Sequence, residues 1–413
     1  MDYALFRDSE PLLTLPFNYR DPRTDGAMEK VFQKVPADDI FNATGIQFMS
    51  LNTLYQLFMD LQDRPETLDS ADRFLNIGDY FNYLLSGIPK GEVSLASTTQ
   101  LFNPRTGDWA WDLIGRLGIP KKIFPSLLPS GSVLGPLLPG VAAETGLKDA
   151  KVVATCSHDT AAAVAAVPGE GKDWAFLSSG TWSLIGTELP GPVIDAGSRK
   201  RNFTNESGYQ RTILFRKNIV GLWIVQECKR AWGEAGSEMD YFALTALAEK
   251  AAPLKSFIRP EDGRFGKPGS MPSKIADYCR ETGQSVPEEQ GAVIRCVLES
   301  LALLYAKTLR ECAETSGRSF KTLHIVGGGS KNKLLNQFAA NAVQLLGVET
   351  VTAGPVESTA IGNVLIQARA LGHLAGDLRG AVRRSFPVEA YAPRDKAAWK
   401  KALERFESLP VPA

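Results

Sequence analysis

The strongest constraint on the fold is a strand–turn–helix–strand–helix series near the carboxyl terminus. Thr322–Val326 is predicted to be a strand that ends at the turn Gly327-Gly328-Gly329. A helix from about Asn332 to Leu346, a strand at Thr350–Ala353 and a helix from about Ser358 to Leu371 follow. Strands that alternate with helices of this length are typical of a parallel sheet, so the sequence predicts an α/β fold.

Length and charge limit the class of protein. A chain of 413 residues is long enough for two domains. Lys plus Arg and Asp plus Glu balance at 46 each, so no basic field exists to hold nucleic acid or an anionic membrane. The five cysteines form no C-x-x-C pair, which favours a reducing, cytoplasmic location. The longest uncharged run, Ile123–Ala143, contains four prolines and is predicted to be a turn-rich loop or surface arm, not a membrane span.

A second strand-to-helix turn carries a candidate catalytic group. Lys151–Thr155 is predicted to be a strand, and an alanine-rich helix from Thr160 to Val167 follows the turn Ser157-His158-Asp159. One interpretation is that Asp159 only caps the helix. The other is that Asp159 takes a proton from a bound hydroxyl, because ligands of open α/β sheets bind beyond the carboxyl ends of strands. Both interpretations can hold together.

Two further turns are rich in small residues. Ser178-Ser179-Gly180-Thr181 joins the predicted strands Trp174–Leu177 and Trp182–Thr187, and it is either a simple hairpin turn or a turn whose N–H groups and Thr181 hydroxyl wrap a phosphate. Gly327-Gly328-Gly329 either allows a tight strand–helix crossing or lets a nucleotide approach the backbone at a helix N-terminus. Three successive glycines cost backbone entropy, which favours a specific role.

Other patterns mark helices and exclude enzyme classes. Leu51–Leu61 has apolar residues at helical spacing, and a long helix is predicted from Pro287 to about Thr315, with Gly317 beyond its end. The sequence has no G-x-x-x-x-G-K-[ST] loop, no dinucleotide-binding glycine motif after a strand, and no H-E-x-x-H or G-x-S-x-G motif.

The order of these motifs resembles that of the FGGY family of carbohydrate kinases, and the details are closest to its L-rhamnulokinase subfamily. The resemblance covers nearly the whole chain and rests on eleven segments: Tyr19–Gly26, Thr44–Phe48, Asn52–Leu57, Ala96–Leu101, Ser157–Ala161, Leu177–Leu184, Asn202–Glu206, Lys217–Trp223, His324–Gly329, Ala353–Glu357 and Gly362-Asn363. It implies an α/β, two-domain actin/hexokinase-like (ribonuclease H-like) sugar kinase fold.

The resemblance also implies an activity and a set of residues. The expected reaction is the transfer of a phosphoryl group from ATP, with Mg²⁺, to the C1 hydroxyl of L-rhamnulose. Asp159 is expected to be the general base, and His158, Asp159, Thr160 and Asn218 to contact the sugar. Thr181, Gln226 and Gly328 are expected to contact ATP. Ligands of the metal are not identified. Some members of the family carry a cysteine pair where Cys279 and Cys296 lie, and here thiols are expected.

The sequence departs from the family pattern at its first residues, and the resemblance also predicts domain boundaries. Family members begin with a D-x-G phosphate loop, whereas Met1-Asp2-Tyr3 aligns inside a later strand. We therefore expect an incomplete first domain at 1–168, a second domain at 173–380 and a tail with a helix at 381–413, with the boundary at the linker Pro168–Asp173. We also expect this chain on its own to be inactive or weakly active.

Two alternatives stay open at this point. One is a kinase of another ketose, such as L-fuculose or xylulose. The other is a protein that binds a sugar without transferring phosphate. A small-molecule partner is expected in each case, and the sequence does not predict the oligomeric state.

Overall fold

The structure is a computed structural model that describes residues 1–13 and 15–410. It divides into two compact units. The first comprises Met1–Ala166, Glu188–Phe215 and Thr359–Gly380, and the second comprises Val167–Thr187, Arg216–Ser358 and the chain from Ala381 onward. The boundaries at 1–168, 173–380 and 381–413 stay predictions, and 411–413 of the predicted tail lie outside the described residues.

The first unit is built mainly from helices around a small antiparallel sheet. Its sheet has the order Glu10–Pro11, Tyr3–Arg7, Arg73–Asn76. Its other strands are Gly91–Glu92, Phe102–Asn103, Asp108–Trp109, Leu127–Leu128, Ser132–Pro136, Lys151–Ala154 and Thr204–Ser207. Its helices are Ala27–Lys34, Ala37–Thr44, Thr53–Asp63, Pro65–Ser70, Ile77–Ser86, Val93–Ser97, Trp111–Leu117, Pro139–Thr145, Asp159–Ala165, Ala196–Lys200 and, from its second residue, Ser358–Ala370. Short 3-10 turns lie at Pro22–Thr24, Lys121–Ile123 and Tyr209–Arg211.

The core of the first unit forms where the helix Thr53–Asp63 meets the small sheet. Its residues Leu54, Leu57 and Phe58 are buried, as their helical spacing predicts. They belong to one apolar cluster with Tyr3 and Phe74, whose rings lie 5.2 Å apart. Burial of these aromatic and aliphatic side chains fixes the helix against the sheet.

The prediction of a turn-rich loop over Ile123–Ala143 is wrong in part. Ser132–Pro136 is a strand that pairs antiparallel with Lys151–Ala154, and Pro139–Thr145 is a helix. The prolines do not break these elements, because Pro136 is the last residue of its strand and Pro139 opens its helix.

The second unit contains most of a seven-stranded mixed sheet. Across the sheet the strand order is Thr204–Ser207, Ile213–Val220, Trp182–Leu189, Trp174–Ser179, Thr322–Val326, Thr350–Ala353 and Glu389–Tyr391. The edge strand Thr204–Ser207 is assigned to the first unit. Trp174–Ser179, Thr322–Val326 and Thr350–Ala353 run parallel, and the others whose pairing is described run antiparallel to their neighbours. The α/β prediction is confirmed, and the strands Thr322–Val326 and Thr350–Ala353 have the predicted bounds.

Helices cover the sheet of the second unit. They are Trp223–Glu234, Tyr241–Lys250, Met271–Glu281, Gln290–Ser316, Lys333–Val343 and Lys396–Ser408, with Leu378–Ser385 at the unit boundary and 3-10 turns at Gly263–Gly266, Gly328–Lys331 and Gln344–Leu346. The long helix Gln290–Ser316 is the predicted one. It ends at Gly317, whose φ of 66° is in the left-handed region that glycine favours. It is buried over most of its surface and forms the centre of this layer.

Two findings concern the chain as a whole. Within residues 1–13 and 15–410, no helix combines the length and the apolar character that crossing a bilayer requires. All five cysteines are buried free thiols, including Cys279 and Cys296.

Candidate active site

The turn Ser157–Thr160 of the first unit presents an exposed carboxylate. It follows the strand Lys151–Ala154 and opens the helix Asp159–Ala165. His158 is the N-cap, so the interpretation of Asp159 as the cap residue is wrong, and Asp159 is the first helical residue. Its Oδ1 accepts hydrogen bonds from the Thr160 N–H (2.6 Å) and hydroxyl (3.2 Å), and the side chain is 79% exposed. The positive end of the helix favours a negative charge at this position.

His158 lies between two carboxylates of the first unit. Its Nε2 is 3.5 Å from Oδ1 of Asp159, and its Nδ1 is 3.3 Å from Oε2 of Glu206. Glu206 is buried on the strand Thr204–Ser207. The sequence places Glu206 in a family segment but gives it no role, because nothing in local spacing shows that this strand reaches His158. The structure therefore adds Glu206 to the candidate residues.

The helix that opens with Asp159 packs closely on a second helix of the first unit. A Cβ atom on Gly362 would lie 1.9 Å from the carbonyl oxygen of Ala162. The hydroxyl of Thr359, on the same helix as Gly362, donates to the carbonyl oxygen of Asp159 at 3.4 Å. Only glycine allows the two helices to approach this closely, so Gly362 fixes the position of the Asp159 helix.

The two small-residue turns of the second unit lie against one another. They follow the adjacent parallel strands Trp174–Ser179 and Thr322–Val326 at their carboxyl ends. A Cβ on Gly329 would lie 2.1 Å from Oγ of Ser179, and one on Gly327, whose φ is 83°, would lie 3.0 Å from the Ser179 carbonyl oxygen. A Cβ on Gly328 would meet no atom within 4 Å. The central glycine is therefore the one with open space beside it.

Thr181 and Gln226 form a polar pair in the second unit. The Thr181 hydroxyl lies 3.2 Å from Oε1 and 3.3 Å from Nε2 of Gln226. The backbone explains the pairing, because Leu222 N–H donates to the Gly180 carbonyl oxygen at 3.0 Å and Trp223 N–H donates to that of Thr181 at 3.1 Å. These bonds start the helix Trp223–Glu234 on the hairpin turn, so that Gln226 reaches Thr181.

The hairpin is also fixed to the long helix of the same unit. The hydroxyl groups of Ser183 and Tyr305 are 2.8 Å apart and share a hydrogen bond. Burial raises the pKa of Tyr305 to about 12, so the phenol stays neutral at physiological pH. A buried hydrogen bond therefore holds the hairpin to the long helix.

Asn218 lies on the strand Ile213–Val220, and its Oδ1 accepts a hydrogen bond from the guanidinium group of Arg216. The structure thus places His158, Asp159 and Thr160 together in the first unit, and Thr181, Gln226 and the triple-glycine turn together in the second.

Over residues 1–13 and 15–410, no group of three or more His, Cys, Asp or Glu side chains could hold a metal ion.

Comparisons with known proteins identify the family. The family model for the N-terminal domain of the FGGY family of carbohydrate kinases matches residues 4–166, and that for the C-terminal domain matches 175–371. The chain is 41% identical over 411 residues to a rhamnulokinase of Bacteroides thetaiotaomicron, covering 99% of this chain and 83% of the relative. It is 41% identical over 395 residues to a rhamnulokinase of Enterococcus faecalis, covering 95% and 78%.

Solved structures show the same fold at lower identity. A xylulose kinase from Rhodospirillum rubrum gives a TM-score of 0.78 at 19% identity, over 99% of this chain and 82% of that one. A gluconate kinase from Lactobacillus acidophilus gives 0.77 at 17% identity, over 98% and 81%. Since both domain models match and the two rhamnulokinases align along nearly its full length, this chain belongs to the FGGY family of carbohydrate kinases.

Proposed function

We propose that this chain transfers the γ-phosphoryl group of ATP to the C1 hydroxyl of L-rhamnulose, giving L-rhamnulose 1-phosphate and ADP, in rhamnose catabolism. The observation that carries the proposal is the identity of about two-fifths to rhamnulokinases over nearly the whole chain. The chain is a carbohydrate kinase by its family, and the family's chemistry uses ATP with a divalent metal ion. The sequence identity to rhamnulokinases favours L-rhamnulose over L-fuculose or xylulose as the sugar.

In this proposal the first unit supplies the proton acceptor. Asp159 accepts the proton of the C1 hydroxyl while that oxygen forms a bond to the γ-phosphorus and the bond from phosphorus to the ADP oxygen breaks. His158 and Thr160 bind sugar hydroxyl groups, and Asn218, which is in the second unit, is assigned the same role. The exposed carboxylate of Asp159 and its place in the first turn of a helix support this role. Glu206, beside Nδ1 of His158, orients the imidazole ring.

The second unit binds the nucleotide in this proposal. Thr181 and Gln226 offer a hydroxyl and an amide that can exchange their mutual hydrogen bond for contacts with ATP. Gly328 leaves its backbone open to a close approach, as binding of a nucleotide at a glycine turn requires. We assign Mg²⁺ as the metal, held mainly by phosphate oxygens and water, because Mg²⁺ commonly binds with nucleotides in this way. Its protein ligands are unassigned.

The glycine turn gives a matched pair of variants. Gly328→Ala should leave the melting temperature unchanged and weaken ATP binding by roughly tenfold or more, because the added methyl group takes the open space but meets no protein atom. Gly329→Ala should lower the free energy of unfolding by about 1–3 kcal/mol, because its Cβ would overlap Ser179. Thermal melts and ATP titration measure both effects. Equal loss of stability in the two variants would contradict the assignment of Gly328.

A coupled assay of ADP release tests the function. L-rhamnulose, L-fuculose and D-xylulose are compared at saturating MgATP, and the product is identified by NMR as the 1-phosphate. The highest kcat/KM is expected for L-rhamnulose, and a preference for another ketose would overturn the sugar assignment. Binding of L-rhamnulose by calorimetry without ADP release would favour the non-catalytic alternative.

The proposed partners and location follow from the same observations. The partners are a ketose and ATP, and nothing indicates nucleic acid or a membrane, since the formal net charge is +0. A cytoplasmic location is supported by five buried cysteines that are all free thiols.

A further inference from the structure

A buried carboxylate lies beneath the turn that carries Asp159. Glu92 is 0% exposed and is the N-cap of the short helix Val93–Ser97. Its oxygens accept hydrogen bonds from the N–H of Ser94 (2.8 Å), the N–H of Leu95 (3.2 Å) and the hydroxyl of Ser130. A buried charge of this kind is stable only when hydrogen bonds replace the lost water.

The same carboxylate holds the backbone of the turn. Oε2 of Glu92 accepts the N–H of Ser157 at 3.0 Å and the hydroxyl of Ser94 at 2.5 Å. Oγ of Ser94 in turn accepts the N–H of His158 at 3.2 Å. Two successive amides immediately before Asp159 are therefore fixed by Glu92, one directly and one through Ser94.

A second buried carboxyl group, that of Asp79, lies beside the backbone of Glu92. Oδ1 of Asp79 accepts the N–H of Glu92 at 2.9 Å. Burial, and next the charge of Glu92, raise the pKa of Asp79 well above its usual range. Burial also raises the pKa of Glu92, but the hydroxyl groups of Ser130 and Ser94 oppose that rise. The described groups that hydrogen-bond to the Glu92 side chain are all donors, which suits the acceptor-only carboxylate form.

The helix that Glu92 caps also reaches the other carboxylate beside His158. Oγ of Ser97, the last residue of this helix, accepts the N–H of Ser207 at 2.9 Å. Ser207 directly follows Glu206 on the strand Thr204–Ser207. One short helix therefore holds both the turn that carries His158 and the strand that carries Glu206.

We propose that Glu92 and Ser94 are positioning residues for the phosphoryl transfer, holding the backbone of Ser157 and His158 so that Asp159 meets the attacking hydroxyl. The proposal rests on the proposed function. Both residues are fully buried, so the proposal gives neither of them a contact with the substrate. Their effect is on geometry, and misplacing a reacting group by about 1 Å costs on the order of a hundredfold in rate.

Ser94→Ala is the direct test. The variant keeps Glu92 and its bond to Ser157 but removes the acceptor for the His158 amide. We expect kcat to fall by about 10- to 100-fold, with a smaller change in the KM for ATP. Amide hydrogen exchange should become faster at His158 and stay slow at Ser157. Glu92→Gln places an amide NH₂ group opposite groups that themselves donate hydrogen bonds. This variant should speed amide hydrogen exchange at both Ser157 and His158.

Ser130→Ala is the matched control. It removes another hydroxyl that donates to Glu92, but Ser130 makes no described hydrogen bond to Ser157 or His158. Its melting temperature should fall about as much as that of Ser94→Ala, while kcat stays within about twofold and exchange at the turn is unchanged. Equal losses of kcat in the two variants would reduce Glu92 and Ser94 to a purely structural role.

The two proposals fail in distinguishable ways. If the unmodified chain neither binds L-rhamnulose nor releases ADP with it, the proposed function is wrong, and the exchange rates at Ser157 and His158 still decide whether Glu92 and Ser94 hold the turn. If the unmodified chain is active but Ser94→Ala keeps its kcat and its slow exchange at His158, the positioning role is wrong and the function stands.

Discussion

Replacing Asp159 with asparagine is expected to lower kcat by about 10²- to 10⁴-fold, the usual contribution of a general base. The amide has nearly the same shape as the carboxylate but cannot accept the hydroxyl proton. Asp159 is 79% exposed, so the fold should tolerate a change that keeps the shape of the side chain. ADP release measures kcat, and calorimetry should show that L-rhamnulose still binds within a few-fold of its original affinity.

Asp112→Asn is the matched control for this variant. Asp112 lies in the first turn of the helix Trp111–Leu117, is in the same unit and has a side chain that is 92% exposed. The substitution also removes a carboxylate from the first turn of a helix. Any general effect of losing such a charge on stability should therefore appear in both variants. Only Asp159→Asn should lose activity. Activity retained in Asp159→Asn, or lost equally in Asp112→Asn, would contradict the role of Asp159 as the base.

Gly362→Ala is expected to have the largest effect on stability. Its Cβ would lie 1.9 Å from the carbonyl oxygen and 2.7 Å from the carbonyl carbon of Ala162. Backbone atoms cannot rotate away as a side chain can, so the two helices must separate. We expect a loss of about 3 kcal/mol or more in the free energy of unfolding, at the upper end for overpacking. A drop of about 2–4 °C in melting temperature per kcal/mol would report it.

Displacement of the helix should also affect catalysis, because Asp159 opens the helix that contains Ala162. Gly233→Ala is the control: Gly233 lies in the helix Trp223–Glu234, and a Cβ there would meet nothing within 4 Å. That substitution should raise stability by up to about 1 kcal/mol, since alanine is the better helix former. A stable, fully active Gly362→Ala variant would show that the two helices can separate without consequence.

Local patterns in the sequence predict the α/β unit of the second half well. The strand Thr322–Val326 is buried at four of its five residues, and the helix Gln290–Ser316 ends at a glycine. The pattern of apolar residues and the residues that mark helix ends therefore agree with the packing. The prediction for Ile123–Ala143 fails because prolines mark element ends as well as loops. In that run they lie at the end of the strand Ser132–Pro136 and the start of the helix Pro139–Thr145.

The candidate site is predicted only as far as its local motifs extend. The turns at Ser157–Thr160 and Gly327–Gly329 can be found from their residue types, because a strand end followed by small or acidic residues is a local signal. Glu206 and Glu92 cannot be found in this way. Their contacts with His158 and Ser157 join segments far apart in the chain, and glutamate is not a preferred N-cap residue, so the capping role of Glu92 has no signature.

If Asp159 is the base, as proposed, its exposure has a consequence for how the enzyme resets between turnovers. A base that faces bulk solvent can return the captured proton to water or buffer once the product has left, so no chain of internal acceptors is needed. Recovery of the carboxylate should then be faster than the release of ADP or sugar phosphate, and varying the buffer concentration at constant pH and ionic strength should leave the steady-state rate unchanged.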